Sequence, residues 1–479
     1  MFVKQPAAPR LRSLLIASLA TFATPFAHAD DAAIARIEAG LRPAVALANA
    51  AVKTESLQDA MTRLKVPGVS VAVIKDAKVA WARGYGVAWI GGPAVTPQTL
   101  FQAASVSKPV AAMAALRMVE QGKLDLDAGI DTALTSWRLP DGKGKPSVRQ
   151  LLSHTGGMSV SGFPGYAAGK PAPTLVQVLD GAWAANTKAI RVEAAPGSAF
   201  RYSGGGYTVL QQAMIDRSGK PFDVLLRESV LAPLGMNDSS FSQPLPAALQ
   251  AQAARAHDAD GKPYRGGAHT HPELAAAGLW TTPQDLARFA IAIQDGAAGG
   301  DNGVISPSMV RTMLTPIMND YALGLQLQDK GKGFGHNGSN MGFKALMVAS
   351  TEGGDGAVIL TNGDNGGPLA DSLVRAIAHE YKWSFNQTRL RPAVELAPEQ
   401  KKALVGKYEI EGLGGFEIAE RDGRLMVANR GAPWEPLYAE SDKLLFILSR
   451  PIELHRLDAD SGVSVLGASS RPYKRVGGR

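Results

Sequence analysis

Ser105 and Lys108 stand three positions apart in the run Ser105-Val106-Ser107-Lys108, at the head of a strongly apolar stretch. On a helix that spacing puts the hydroxyl and the amine on one face, one above the other. A serine hydroxyl is a weak nucleophile at neutral pH, and an amine held in a dry pocket could serve as its base. Pro109 suits a first helical turn, whose amides have no intrahelical acceptor. The four-residue pattern is short: about one or two Ser-x-x-Lys matches arise by chance in a chain this long.

Tyr202 lies in Arg201-Tyr202-Ser203-Gly204-Gly205-Gly206-Tyr207, read as a glycine-rich loop ahead of an apolar helix. A phenol beside the lysine could shuttle a proton to and from the serine; taken alone, it reads better as a loop tyrosine packing its ring. His336, Asn337, Gly338 and Ser339 fall on an expected strand with another directly after it. Gly338 would let a substrate backbone approach, the Ser339 amide could donate to an oxyanion, and His336 would add polarity or charge. His154-Thr155-Gly156 has the same form, but it follows a helical stretch and reads as loop. His269-Thr270-His271 has no second pair at ligand spacing and reads as a surface loop. Neither metal nor cofactor is expected. A lipase-type Gly-x-Ser-x-Gly elbow and a phosphate-binding P-loop are both missing from the sequence.

The elements that would position these groups follow from periodicity. Residues 31–65 suggest one or two helices interrupted by Pro43. Strands are expected at 69–74 and 79–87, a buried helix at 105–121, and a run of short helices and loops between about 125 and 300. Strand patterns return at 333–338, 343–350 and 357–361, then a helix at 368–383. Strands at both ends around a helical insertion imply an α+β domain assembled from distant parts of the chain. After the proline-containing stretch 386–398, short alternating runs with an Asp422-Gly423 turn imply a small antiparallel barrel or sandwich.

Length, charge and cysteine content narrow the class. At 479 residues the chain exceeds one ordinary hydrophobic core. Lys4, Arg10 and Arg12 precede an apolar stretch at 14–26 and the small-x-small site Ala27-His28-Ala29, the pattern of a cleavable leader. Export to a periplasm or the medium is therefore expected, with no integral span in the mature chain. Cysteine is absent, which excludes disulfides, thiol nucleophiles and thiolate metal sites. The formal net charge of +7 includes the three leader cations, and the remainder is no nucleic-acid footprint. The basic tail 471–479 reads as a solvated end.

Ser-x-x-Lys, then tyrosine, then His-x-Gly on a late strand form an ordered set. It resembles the serine beta-lactamase and penicillin-binding-protein superfamily, and more closely the class C beta-lactamase branch with its DD-peptidase, D-aminopeptidase and esterase relatives. Gly122-Lys123-Leu124-Asp125-Leu126-Asp127, Leu151-Leu152-Ser153-His154-Thr155-Gly156-Gly157 and Gly278-Leu279-Trp280-Thr281-Thr282-Pro283-Gln284-Asp285-Leu286 add to the likeness, which covers about residues 45–385.

The resemblance implies an antiparallel sheet flanked by helices with a large helical insertion, followed by an all-β domain that itself looks lipocalin-like. It divides the chain into a leader (1–29), a serine hydrolase domain (30–385), a linker (386–398) and a C-terminal barrel-like domain (399–479). It implies Ser105 as the acylated nucleophile, Lys108 as its activator and Tyr202 as general base and acid. His336-Asn337-Gly338 would be the third motif, with the amides of Ser105 and Ser339 as the oxyanion hole; His154 would be structural. Two positions depart from the pattern. Gly204 stands where the usual Tyr-x-Asn asparagine contacts the acyl side chain, and His336 stands where beta-lactamases usually carry lysine. The implied activity is hydrolysis of amide or ester bonds through an acyl-serine, first on peptides of DD-peptidase or D-aminopeptidase type. A small-ester carboxylesterase, a weak beta-lactamase and a non-catalytic penicillin-binding-like sensor are the alternatives. The partner is a small-molecule or peptide substrate; oligomeric state is not legible.

Overall fold

The computed structural model describes residues 31–466 and 469–477, with Met1 and Val3. The expected leader lies outside the described residues, apart from those two. Helices Asp31–Ala39 and Leu57–Leu64 flank a short strand, β1 (Val45–Leu47), where the sequence suggested helix alone. β2 (Gly68–Lys75) and β3 (Lys78–Gly86) make a hairpin whose turn residues Asp76 and Ala77 both have positive φ, 52° and 54°. That geometry matches the natural twist of paired strands. β4 (Phe101–Gln102) and β5 (Trp280–Thr281) pair antiparallel, tying the segment just before Ser105 to the far end of the helical insertion.

β6 (Gln326–Gln328), β7 (Gly333–Asn340), β8 (Phe343–Ser350) and β9 (Gly356–Thr361) join the hairpin in a six-stranded antiparallel sheet of order β3-β2-β9-β8-β7-β6. The expected joining of distant chain segments is seen in β2 against β9. Side chains of a strand alternate between faces. Ala72 and Ile74 enter the core around the helix Ser107–Glu120, while Val69, Val71 and Val73 enter a second core under the helices Asp31–Ala39, Leu57–Leu64 and Gly366–Glu380. The sheet is thus covered on both faces.

Beyond the sheet, β10 (Arg389–Arg391) lies within the stretch expected as linker and pairs in parallel with β1. Arg391 then reaches Glu440 (2.7 Å) and Glu453 in the C-terminal unit. That unit contains β11 (Gly406–Ile410), β12 (Gly414–Arg421), β13 (Arg424–Asn429), β14 (Glu435–Pro436), β15 (Tyr438–Ala439), β16 (Leu444–Phe446), β17 (Ile452–Arg456), β18 (Ser461–Leu466) and β19 (Ser469–Val476). They form one nine-stranded antiparallel sheet, nearly closed because its two end strands, β14 and β15, are consecutive in the chain. As far as Val476 the basic tail is not a free solvated end. β19 pairs with β11 on one side and β18 on the other, Tyr473 points into the core, and the Arg475 guanidinium donates to the carbonyls of Ala403 and Val405 (both 2.6 Å). Strand pairing and the single inward Tyr473 order it, with exposed Pro472 and Lys474 on either side, which charge content alone conceals. No helix among the described residues is long and apolar enough to cross a membrane.

Candidate active site

β4 runs into a single 3-10 turn, Ala104–Val106, before the helix proper begins at Ser107. Ala104 has φ of +49°, a left-handed conformation that costs a non-glycine residue about 1–2 kcal/mol. Surrounding packing holds it there: a Cβ at Gly338 would lie 2.1 Å from the Ala103 carbonyl oxygen, so β7 presses directly on this turn. The Lys108 ammonium, on a side chain only 2% exposed, lies 3.0 Å from Ser105 Oγ and donates to the Ala276 carbonyl at 2.9 Å. Ser107 is excluded as an alternative. Its hydroxyl donates to the Ala104 carbonyl (2.6 Å) and accepts the Leu279 amide (3.0 Å), both in the buried interior.

Tyr202 sits over the lysine, with its ring centre 5.0 Å from Nζ. The glycines after it are not a loop: Gly204 opens the helix Gly204–Ser218, capped by Ser203, whose Oγ accepts the Gly206 amide at 3.0 Å. Close packing explains them. A Cβ at Gly205 would meet the Ser159 carbonyl at 2.6 Å, and one at Gly204 would meet the Phe163 ring at 2.9 Å. The space an asparagine side chain would need at 204 is therefore bordered by an aromatic ring. Beneath Tyr202 lies His154, buried, with its Nδ1 accepting the Ser203 amide at 3.1 Å. Burial, then the nearby Lys108 charge, holds this imidazole well below the usual histidine range.

The third group comes from β7, where His336 and Gly338 are buried and Asn337 and Ser339 exposed. β6 pairs with β7 only through Gly335, which leaves the edge at 336–340 facing the Ala103–Ser105 turn. The Lys332 carbonyl accepts Thr351 N–H on the β8 side at 3.0 Å, and the register from there to Asn340 is unbroken. Residues of odd number therefore direct their amides to the opposite, open edge, Ser339 among them. His336 Nδ1 donates to the Asn337 carbonyl (2.5 Å), and Nε2 faces the hydroxyl of Tyr321 (3.0 Å). Burial, then Lys108, lowers the His336 pKa to about 3, so the ring is neutral.

Sequence reasoning did not single out Tyr321 or Phe163. Tyr321 is buried among the rings of His154 and Phe200, 4.8 Å and 5.5 Å away. The structure thus brings Ser105, Lys108, Tyr202 and His336 together, with the Ser339 amide on the edge beside them. His269 and His271 make no metal cluster with other ligands among the described residues; His269 Nδ1 lies 2.9 Å from the Pro164 carbonyl.

A nucleophile, a buried amine at hydrogen-bonding distance, a phenol over that amine and an open strand edge are the parts an acyl-transfer site requires. Residues 54–382 match the beta-lactamase family. The chain belongs to the beta-lactamase family. Within that family it is 26% identical over 380 residues to penicillin-binding protein 4 of Amycolatopsis lactamdurans, covering 73% of this chain and 95% of the relative. It is also 28% identical over 229 residues to the D-alanyl-D-alanine-carboxypeptidase/endopeptidase AmpH of Escherichia coli (strain K12), covering 46% of this chain and 56% of that protein. Among solved structures, the octameric penicillin-binding protein homologue from Pyrococcus abyssi superposes with a TM-score of 0.60 at 22% identity, over 87% of this chain and 98% of that one. That likeness concerns the fold and extends into the C-terminal unit. Membership of the beta-lactamase family, with peptidase relatives, makes the protein a serine hydrolase.

Proposed function

We propose that this serine hydrolase is exported and cleaves amide or ester bonds through an acyl intermediate on Ser105, with small peptides containing D-residues as its leading substrates. The 3.0 Å contact of Lys108 with Ser105 carries the reading. Ser105 Oγ attacks the carbonyl carbon and gives its proton to Tyr202, which acts as the base in its phenolate form beside the Lys108 ammonium. The oxyanion is received by the amides of Ser105 and Ser339. Tyr202 returns the proton to the departing amine or alcohol, and water then releases the acyl group by the reverse sequence. Relatives named for D-alanyl-D-alanine peptidase activity support the peptide assignment. Export is supported by the cationic start, apolar stretch and Ala27-His28-Ala29 site.

A fluorophosphonate probe should label Ser105 once per chain, and Ser105→Ala should abolish both labelling and turnover of D-residue p-nitroanilides. Full turnover by that variant would remove Ser105 from the role. Labelling without turnover of any amide or ester would favour a binding sensor. Amino-terminal sequencing of protein from the periplasm or medium should begin near Asp30; an intact leader on the bulk of the protein would overturn export. A second reading, an esterase, is favoured by the neutral His336, since an imidazole without charge offers a substrate carboxylate little.

A further inference from the structure

His336 is set apart from the other site residues by having both ring nitrogens occupied inside the protein. A carbonyl oxygen only accepts, so the Asn337 contact places the proton on Nδ1, and Nε2 is left to accept from the Tyr321 hydroxyl. The phenol is itself fixed. Its ring is buried between His154 and Phe200 and stands at 88° to the His336 ring.

The Tyr202 ring centre is 6.1 Å from that of His336. Because Tyr202 hands the proton to the departing group in the proposed mechanism, the imidazole borders the leaving half of the substrate. The ionisable groups around it are Lys108, His154, Tyr202 and Tyr321, with Tyr207 behind Tyr321. Lys108 is the cation of this set, and it already bonds to Ser105 and the Ala276 carbonyl. A carboxylate on the leaving half would need an N–H donor or a free cation. His336 provides neither, since its one N–H is engaged by the Asn337 carbonyl and its ring is neutral, and Lys108 is directed at Ser105 and the Ala276 carbonyl.

We infer that Tyr321 is a positioning residue which, with the Asn337 carbonyl, keeps both nitrogens of His336 from the substrate, so that the site takes substrates with no free carboxylate on the leaving half. Those are amides, esters and peptides whose terminal carboxyl is blocked or remote, in preference to peptides ending one residue beyond the cut. The inference rests on the acyl-serine reading and narrows its substrate class.

The direct test compares an acetylated D-alanyl-D-alanine peptide with its C-terminal amide. The amide should be cleaved with kcat/KM about tenfold higher or more, a difference of about 1.4 kcal/mol in transition-state binding; equal rates or preference for the free acid would overturn the inference. Nitrogen-15 spectra of labelled histidine should show His336 protonated on Nδ1 alone from about pH 8 to about pH 5, and a midpoint near the ordinary value of about 6.5 would also overturn it. Tyr321→Phe removes the donor to Nε2. Discrimination against the free acid should then shrink, and cleavage of the acid should gain a limb rising as pH falls below about 6.5. A purely structural role would instead lower both substrates equally with no new limb, which sinks the assignment to Tyr321. Should that variant not fold, the wild-type spectra and substrate pair decide. Fluorophosphonate labelling separates the two levels: lost labelling at Ser105 would defeat the acyl-serine reading, whereas retained labelling with preference for the acid defeats only this narrowing.

Discussion

The imidazole of His154 lies against the phenol of Tyr202, ring centres 4.2 Å apart, while its Nδ1 holds the amide of Ser203, the next residue in the chain. One buried side chain thus fixes both the face of the candidate proton shuttle and the start of the helix behind it. His154→Phe keeps the ring and removes the acceptor, stranding a buried N–H. Denaturant unfolding should show a loss of about 1–3 kcal/mol. Turnover of a p-nitrophenyl ester should fall about tenfold as Tyr202 loses its fixed position.

Ser107 provides the counterpart to Ser105. Ser107→Ala leaves the Leu279 amide without its acceptor and should cost about 1–3 kcal/mol in denaturant unfolding. Labelling by a fluorophosphonate should persist, located by peptide mapping on Ser105.

Two glycines separate backbone from side-chain constraint. At Gly338 an added Cβ meets the Ala103 carbonyl, part of a turn that cannot yield, so Gly338→Ala should lose about 3 kcal/mol and nearly all activity. At Gly204 the neighbour is the half-buried Phe163 ring, which can swing aside. Gly204→Ala should cost less than about 1.5 kcal/mol, and its effect should appear in the ranking of acyl groups across a substrate panel. Thermal unfolding and that panel together check both statements.

Glu273 is wholly buried, neither carboxylate oxygen has a hydrogen-bond partner, and burial raises its pKa to about 7. The folded protein holds the proton at pH values where the unfolded chain releases it, so stability falls as pH rises from about 4.5 to about 7. Glu273→Gln removes that dependence. Its stability relative to the parent should improve across this window by up to about 3 kcal/mol, as read from unfolding curves at several pH values. The buried neutral histidines His154, His271 and His336, which oppose acidification instead, are shared by both proteins and largely cancel in the difference.

Ser105, Lys108, Tyr202 and His336 were legible because each carries its chemistry in its own side chain and the order along the chain is informative. Tyr321 and Phe163 were not: they lie in irregular segments, and their partners are set by folding, 15 residues away for Tyr321 and 41 for Phe163. The three glycines at 204–206 read as loop because glycine disfavours helix, and tertiary packing overrode that preference. β1 and β10, three residues each, are too short to show a period, so the ordered pairing inside the expected linker stayed hidden. The larger strands and the helix after Ser105 were visible because each has enough apolar positions to establish one.

The pairing of β2 with β9 sets a timetable for biogenesis. A growing chain presents the Ser105 helix long before the helices Gly204–Ser218, Leu274–Ala277 and Pro307–Leu314 that pack on it, residues 356–361 complete the sheet later again, and β1 waits longer still for β10. A nascent protein must therefore carry this largely apolar helix incompletely covered through a long part of translation, a period in which chaperone binding competes with aggregation. Ribosome-bound chains stopped before residue 356 should be protease-sensitive throughout this domain, with protection appearing together once β9 has emerged.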